Sequence, residues 1–378
     1  MRPDKEALLY EKLEDSEGAC ALMVRCAMCA HRCIIADGRR GLCAVRQNTG
    51  GVLVSLVYGL PCSMNNDPVE KKPLYHFLPG TTTLSIATVG CNFKCLHCQN
   101  SPISQYPREH GGQIAGGIDA GGRTPPYITH DQIVAVALRE GSRSISYTYT
   151  EPTIYMEYAL DCARLAHEKG LKNIFVSNGF MTPESADLII PFLDADNVDL
   201  KGDEKFYKDI CGAKAAPVMD TIRRLKDNGV WVEVTTLVIP GRNDSDETLA
   251  AIAGFIADVD KAMPWHVSAF YPTYKMPDAP RTPVETLRRA RRIGIDAGLK
   301  FVYEGNAPEE GGGNTCCPVC GEVLVERHGF YVRRNVMRVV DGMSVEGEVS
   351  RRNGVSRENG VRQGRCVKCG AGIEGVWG

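Results

Sequence analysis

Residues 88–100, TVGCNFKCLHCQN, decide the fold. They place Cys91, Cys95 and Cys98 in the spacing C-x3-C-x2-C, just after Gly90 and a short apolar run. Protein metal sites are usually closed by four ligands, and this loop supplies three. Soft thiolates suit zinc or an iron–sulfur cluster. Three of them in one loop can converge on one face of a cuboidal cluster and leave one iron open, as a catalytic zinc site keeps an open position. An open metal position is a place for a substrate or a cofactor.

The flanking sequence supplies the scaffold. Strand-like runs fall at 84–88, 144–149, 173–177, 198–200, 230–239, 266–270 and 300–303, with helix-like segments between them. Ile154, Tyr158, Cys162 and Leu165 share one helical face, as do Leu249, Ile252, Ile256 and Val259. Thr129 to Gln132 and Thr282 to Glu285 have the form of capping boxes that open helices. Strands alternating with helices imply a parallel sheet with right-handed crossovers. The expected fold class is α/β, a partial TIM-like (β/α)6 barrel. A flat doubly wound sheet is the alternative, but no Gly-rich dinucleotide turn follows the first strand.

Three regions separate by composition: a Cys-rich extension at 1–80, with a strand at 52–58; the barrel at 81–305; and a Cys-containing appendage at 306–378, which opens on EEGGGN. HGGQIAGGIDAGGR, within 106–126, reads as a surface loop, and 344–364 as a second, Arg-containing loop. A net charge of −2 gives no reason to expect a nucleic-acid or membrane partner. No apolar run reaches the roughly 18 residues that span a bilayer. The charged start, MRPDKEALLYEKLEDSEGAC, carries no apolar signal core, so a cytoplasmic protein is expected. In a reducing compartment most of the sixteen cysteines, which cluster, argue for metal ligation. Cys162 and Cys211 read as small buried hydrophobes.

Two further clusters stand apart from the first. CAMCAHRC and GLCAVR supply Cys26, Cys29, Cys33 and Cys43, a closed four-thiolate set with His31 as a substitute ligand. Zinc is the simpler occupant and an auxiliary iron–sulfur cluster its competitor, since thiolates alone do not choose the metal. Cys317-Pro-Val-Cys320-Gly and Cys366-Val-Lys-Cys369-Gly are two knuckles that together form a closed, zinc-ribbon-like site.

The segment 88–100 resembles the signature loop of the radical S-adenosylmethionine superfamily. That resemblance implies a 4Fe–4S cluster on Cys91, Cys95 and Cys98 whose open iron chelates S-adenosylmethionine. Reductive cleavage would then release a 5′-deoxyadenosyl radical that abstracts hydrogen from a substrate. Other segments resemble the glycyl-radical-enzyme activases, such as pyruvate formate-lyase activating enzyme. YTYTEPT carries Glu151 and Pro152 where the superfamily holds the cofactor's amino group, without the usual two glycines. VSNGF carries Asn178, and VDLKG carries Asp199 and Lys201 near the bound cofactor. His97 takes the place of an aromatic packed on adenine, and Asp244 and Glu247 that of helix caps. Tyr274 stands where the activases have a His.

DPVEKKPLYHFLPG, at 67–80, with the three clusters, is similar to the radical enzyme of the AmmeMemoRadiSam set. That implies Memo-like and AMMECR-like partners and an electron donor such as flavodoxin or ferredoxin. The roles of Glu70, Lys71, Lys72 and His76 stay open. The substrate implied by the activases is a protein or peptide; a small molecule is the rival. A zinc-stabilised RNA- or protein-binding module is the reading of another class, and the chain lacks the basic, aromatic stretch it would need.

Overall fold

The computed structural model describes residues 5–13, 22–114, 126–307, 311–340 and 363–377. The Gly-rich stretch at 115–125 and most of the Arg-containing loop, 341–362, lie outside the described residues.

An eight-stranded sheet forms the centre: β1 (Ser63–Pro68), β2 (Thr82–Ala87), β3 (Ser144–Tyr147), β4 (Lys172–Ser177), β5 (Ala195–Asp199), β6 (Trp231–Val238), β7 (Trp265–Ala269) and β8 (Val302–Gly305). Its strands lie in sequential order. β1 runs antiparallel to β2, and every later neighbour is parallel. Each parallel step needs a crossover. Six helices make them: α1 (His130–Arg139), α2 (Met156–Glu168), α3 (Pro183–Ile189), α4 (Ala216–Asp227), α5 (Asp246–Val259) and α6 (Val284–Asp296). All seven expected strands are present.

A parallel sheet is covered on both faces, so its strands are buried on both sides rather than alternating between core and solvent, polar residues included. All four residues of β3 are buried. Tyr158 and Cys162 of α2 and Leu249, Ile252 and Ile256 of α5 join the same core. Cys162 and Cys211 are fully buried.

Helix starts follow the sequence with two corrections. Thr129 makes the expected capping box on α1. α6, however, starts with Pro283 as its cap residue and no side-chain cap. The Thr282 hydroxyl instead accepts from Phe270 N (2.8 Å) and donates to Val238 O (2.7 Å), joining the ends of β6 and β7. α5 is capped by Ser245, which accepts from Thr248 N. Asp244 is drawn into the preceding turn by Gly241 N, at 2.7 Å.

The N-terminal residues form two three-stranded sheets, one of Lys5–Glu6, Arg46–Thr49 and Val52–Ser55, the other of Tyr10–Leu13, Met23–Cys26 and Ile34–Ile35. Val24, Val45 and Leu53 share the barrel's core with Ile86 and Ile154. A buried ion pair fastens the junction: Arg46 Nη2 donates to both Glu157 oxygens, at 2.5 and 2.6 Å. Beyond β8, two small sheets carry the last two knuckles. The chain then returns to the barrel, where Val376 N donates to His76 O (2.7 Å) and Leu78 N to Val376 O (2.8 Å). No described helix is long and apolar enough to cross a membrane.

Candidate functional site

Gly90 turns the chain from β2 into the cysteine loop at φ +98°, a conformation that side chains resist. A Cβ there would stand 2.6 Å from Val45 Cγ1 and 3.1 Å from Cys43 O. The loop is then held from two sides. Lys94 N and Leu96 N donate to Cys211 O (2.9 Å) and Ile210 O (3.0 Å). Arg108 donates to Phe93 O (2.7 Å), Cys91 O (2.5 Å) and Leu42 O (3.0 Å).

So fixed, Cys91, Cys95 and Cys98 line a cavity of about 740 Å³. Residues at the C-terminal ends of the parallel strands, from Thr148 after β3 to Gly305 of β8, line it too. This is the end where barrel enzymes place their chemistry. Phe93 N donates to Cys91 Sγ (3.4 Å), Asn178 Nδ2 lies 3.9 Å from the same sulfur, and Ser104 Oγ is 3.1 Å from Cys98 Sγ. Donors aimed at thiol sulfur suit a bound iron–sulfur cluster, whose charge they stabilise. The three sulfurs are not drawn together as around one ion: among the described residues, the group of ligand atoms lying within 4.8 Å of one another is Cys317, Cys320, Cys366 and Cys369. Soft donors, wide spacing and an adjoining cavity together fit a cuboidal cluster.

His97, Glu151, Asn178, Asp199 and Lys201 line this same cavity. His97 is buried, its ring 5.8 Å from that of Phe206, and burial, with Lys201 nearby, lowers its pKa to about 3. The Lys201 ammonium pairs with Asp199 at 2.6 Å. Glu151 is fully engaged with protein. One oxygen accepts from Thr153 N (3.0 Å), Thr153 Oγ1 (2.6 Å) and Ser177 Oγ (3.0 Å), and the other from Asn178 N (2.8 Å). Burial raises its pKa while these donors oppose the rise. With donors at every contact, the surroundings fit the ionised form. Asn178 continues the chain of contacts to Asn92 Oδ1, at 2.7 Å, beside Cys91. Pro152 opens the buried turn Pro152–Tyr155 and does not itself line the cavity.

Two residues of the cavity wall, Tyr149 and Arg327, were not singled out by the sequence. Tyr149 lies at φ +62° on the cavity wall. Its hydroxyl donates to Asp67, which also accepts from Lys72 Nζ at 2.7 Å. Lys72 is 1% exposed, and burial lowers its pKa to about 8 against the pull of Asp67. Arg327 reaches the same cavity from the C-terminal sheets and donates to Tyr75 O (2.7 Å) and Thr315 Oγ1 (2.8 Å). Of the residues whose roles stayed open, Glu70, Lys71 and Lys72 line the cavity. His76 does not: its ring bonds to Glu374 O (2.6 Å) and Tyr303 Oη (2.5 Å). Tyr274 bonds to Glu109 at 2.5 Å, outside the cavity lining.

The other cysteine sets differ from each other. Cys317 and Cys369 sulfurs lie 3.6 Å apart, as do those of Cys320 and Cys366. A tetrahedral zinc with Zn–S near 2.3 Å would set them about 3.8 Å apart, so this tetrad has the shape of a single-ion site. Cys26, Cys29, Cys33 and Cys43 instead surround a void of about 20 Å³ with Met28, Ile35 and Ile154. His31 is not in that lining; its Nε2 lies 3.0 Å from Asn92 O and its ring packs on Phe180.

Comparison with known proteins agrees with this geometry. Residues 85–253 match the family model of the Radical SAM superfamily. The chain is 44% identical over 332 residues to the uncharacterized protein MJ0808 of Methanocaldococcus jannaschii, covering 87% of this chain and 93% of that one. It is 20% identical over 242 residues to the pyruvate formate-lyase-activating enzyme of Clostridium pasteurianum, covering 60% of this chain and 93% of that one. Among solved structures, a radical SAM methyltransferase from Sphaerobacter thermophilus is similar at 18% identity and a TM-score of 0.45, covering 61% of this chain and 68% of that one. From the family match over residues 85–253, which include the cysteine loop, together with the two sequence relatives, it follows that the chain belongs to the radical SAM superfamily and is related to the pyruvate formate-lyase activating enzymes.

Proposed function

We propose that the chain is a radical SAM oxidoreductase that abstracts hydrogen from a protein or peptide segment, with Cys91, Cys95 and Cys98 holding a 4Fe–4S cluster. One observation carries this reading: three thiols, spaced too widely for one ion, open onto a cavity of about 740 Å³. When bound, the cluster and S-adenosylmethionine supply a 5′-deoxyadenosyl radical from one added electron.

The chain's own residues bind and orient. In this reading Lys201 would pair with a ligand carboxylate and Asp199 with an ammonium, in place of their pairing with each other. Glu151 works through protein: it holds the end of β4, and through Asn178 and Asn92 the loop that carries Cys91. His97 offers a neutral, flat ring. The volume suits a cofactor with a small partner or a narrow peptide segment.

A small-molecule substrate is the second reading, favoured because Arg327 to Phe330 of the C-terminal sheets also line the cavity. Anaerobically reconstituted, reduced protein should form 5′-deoxyadenosine, and Cys95→Ala should abolish it. Absence of that product from iron-loaded protein overturns the reading. Deuterium transfer from labelled peptides or small molecules into 5′-deoxyadenosine separates the two substrate classes.

A further inference from the structure

On the reading that Cys91, Cys95 and Cys98 hold an iron–sulfur cluster, we propose that Ser104 sets how easily that site accepts an electron. Its hydroxyl, aimed by Gln105 and Arg108, donates a hydrogen bond to the Cys98 sulfur. Ser104 is thus a positioning residue that acts through Cys98.

The local sequence builds the arrangement. After Cys98 the chain makes two short helical turns, Ser101–Ser104 and Tyr106–Glu109, each with a proline in its first turn. Proline is tolerated there because its missing N–H has no partner to lose. Gln105 joins the two turns. Ser104 N donates to Asn100 O (2.9 Å), Gln105 N to Ser101 O (3.0 Å) and Arg108 N to Gln105 O (3.0 Å). Ser104 and Gln105 are drawn inside, 2% and 3% exposed.

Donor chemistry gives each hydrogen bond its direction. A guanidinium only donates, so the Gln105 atom 2.5 Å from Arg108 Nη1 is its oxygen. A carbonyl only accepts, so the Gln105 atom 3.2 Å from Phe93 O is its nitrogen. These two contacts hold the amide in one of its two orientations. That nitrogen donates to Ser104 Oγ, at 3.2 Å. With its oxygen accepting there, Ser104 keeps its own proton for the Cys98 sulfur, 3.1 Å away. A metal-bound thiolate carries no proton, so at this contact the hydroxyl is the donor. A chain of donors therefore runs from the Arg108 cation through two buried groups to the sulfur, and buried hydrogen bonds in series strengthen one another.

The consequence is electrostatic. Reduction adds one electron, and hydrogen bonds to sulfur favour the more negative state. Phe93 N, the donor to Cys91, is backbone and fixed. The Ser104 hydroxyl can be turned, because its direction depends on Gln105. In Gln105→Glu the carboxylate still accepts from Arg108 but has no proton to give. The Ser104 hydroxyl would then donate to that carboxylate and leave Cys98.

The test uses the full chain, purified without oxygen and reconstituted with iron and sulfide. The signal of the radical site is the one missing from the triple variant Cys91→Ala, Cys95→Ala, Cys98→Ala. Its midpoint potential is found by titration with titanium(III) citrate, followed by electron paramagnetic resonance. Ser104→Ala should hold as much iron as the unmodified protein. It should be about tenfold harder to reduce, a fall of about 59 mV for one electron. Gln105→Glu should also lower the potential, and by more than it does in the Ser104→Ala background, where only the added charge acts. Should Ser104→Ala fold poorly, Ser104→Gly takes its place in both comparisons. A full iron complement with an unmoved potential in Ser104→Ala overturns the proposal, as do equal shifts from Gln105→Glu in the two backgrounds. Either result leaves the radical reading standing, because 5′-deoxyadenosine formation tests that separately. If no signal depends on Cys91, Cys95 and Cys98 and no 5′-deoxyadenosine forms, both readings fall.

Discussion

Replacing Gly90 by Ala should be among the most damaging single-methyl changes in this chain. Two costs add. At φ +98° an L-residue carries backbone strain of roughly 1–2 kcal/mol. The new methyl would also stand 2.6 Å from Val45 Cγ1, 3.1 Å from Cys43 O and 3.1 Å from Ile154 Cδ1. Val45 is fully buried, Ile154 nearly so, and Cys43 O is backbone, so none can swing aside. Overpacking of this kind costs about 1–3 kcal/mol. The sum is about 2–5 kcal/mol. Gly141→Ala is the control: φ is +68° there, and a Cβ meets nothing within 4 Å. It isolates the backbone cost of roughly 1–2 kcal/mol. Urea unfolding of anaerobically prepared protein, followed by tryptophan fluorescence, gives the comparison. Iron content should fall for Gly90→Ala alone, since the displaced residue is next to Cys91. If Gly90→Ala loses no more stability than Gly141→Ala, the packing argument fails.

Three other perturbations follow from buried polar groups. Glu151→Gln turns an acceptor toward a donor: its new amide must face Asn178 N or the Thr153 and Ser177 donors. It should cost about 2–4 kcal/mol in urea unfolding and alter the reduced cluster's resonance spectrum, and an unchanged spectrum would disconnect Glu151 from Cys91. Glu157→Ala strands Arg46, which is 2% exposed, and should cost about 3–5 kcal/mol, whereas replacing both by Met should cost less; equal losses would count against a buried pair. His76 concerns pH. Burial lowers its pKa to about 4, with Glu233, Arg327 and His266 around it and Tyr303 and Glu374 bonded to its ring. The unfolded chain, with its histidine near 6.5, then binds more protons, so stability rises with pH between about 4 and 6.5. About 3 kcal/mol should be lost on acidification from pH 7 to 4, and His76→Gln should flatten that slope in urea midpoints taken across the range.

The barrel was legible because its signals are local. Apolar runs of strand length, helical faces such as Leu249–Ile252–Ile256 and the three-cysteine loop each declare themselves within a few residues. What escaped depends on partners that only folding brings together. Ser63–Pro68, SMNNDP, has almost no strand propensity and ends in Pro, yet pairs along β2 as the sheet's edge, where Pro is tolerated. Thr282 has the form of a cap, but two strand ends compete for its hydroxyl and take it. Glu151 was legible as a residue of the site, yet not as one whose carboxylate is filled by its own neighbours. Arg108 and Asn92, which brace the cysteine loop, read in the sequence as ordinary polar residues. Each of the two closed cysteine sets offers four thiolates in the sequence, but only in three dimensions is it visible that one contracts and the other surrounds a void.

The return of the chain to His76 bears on how the protein is made. His76 and Glu374 are joined across 298 positions, and Phe77 bridges to Val376. During synthesis the barrel strands leave the ribosome first and can begin to fold as they emerge. The segment around His76 then waits, without its backbone partner, for nearly all the remaining chain to be translated. Arg327, which lines the cavity and braces Tyr75, also arrives late. A chain cut short after the barrel would lack the wall that Arg327 to Phe330 contribute to the cavity beside Cys91, Cys95 and Cys98. Completion of that cavity's wall is thereby coupled to translation of residues that lie more than 250 positions after Tyr75.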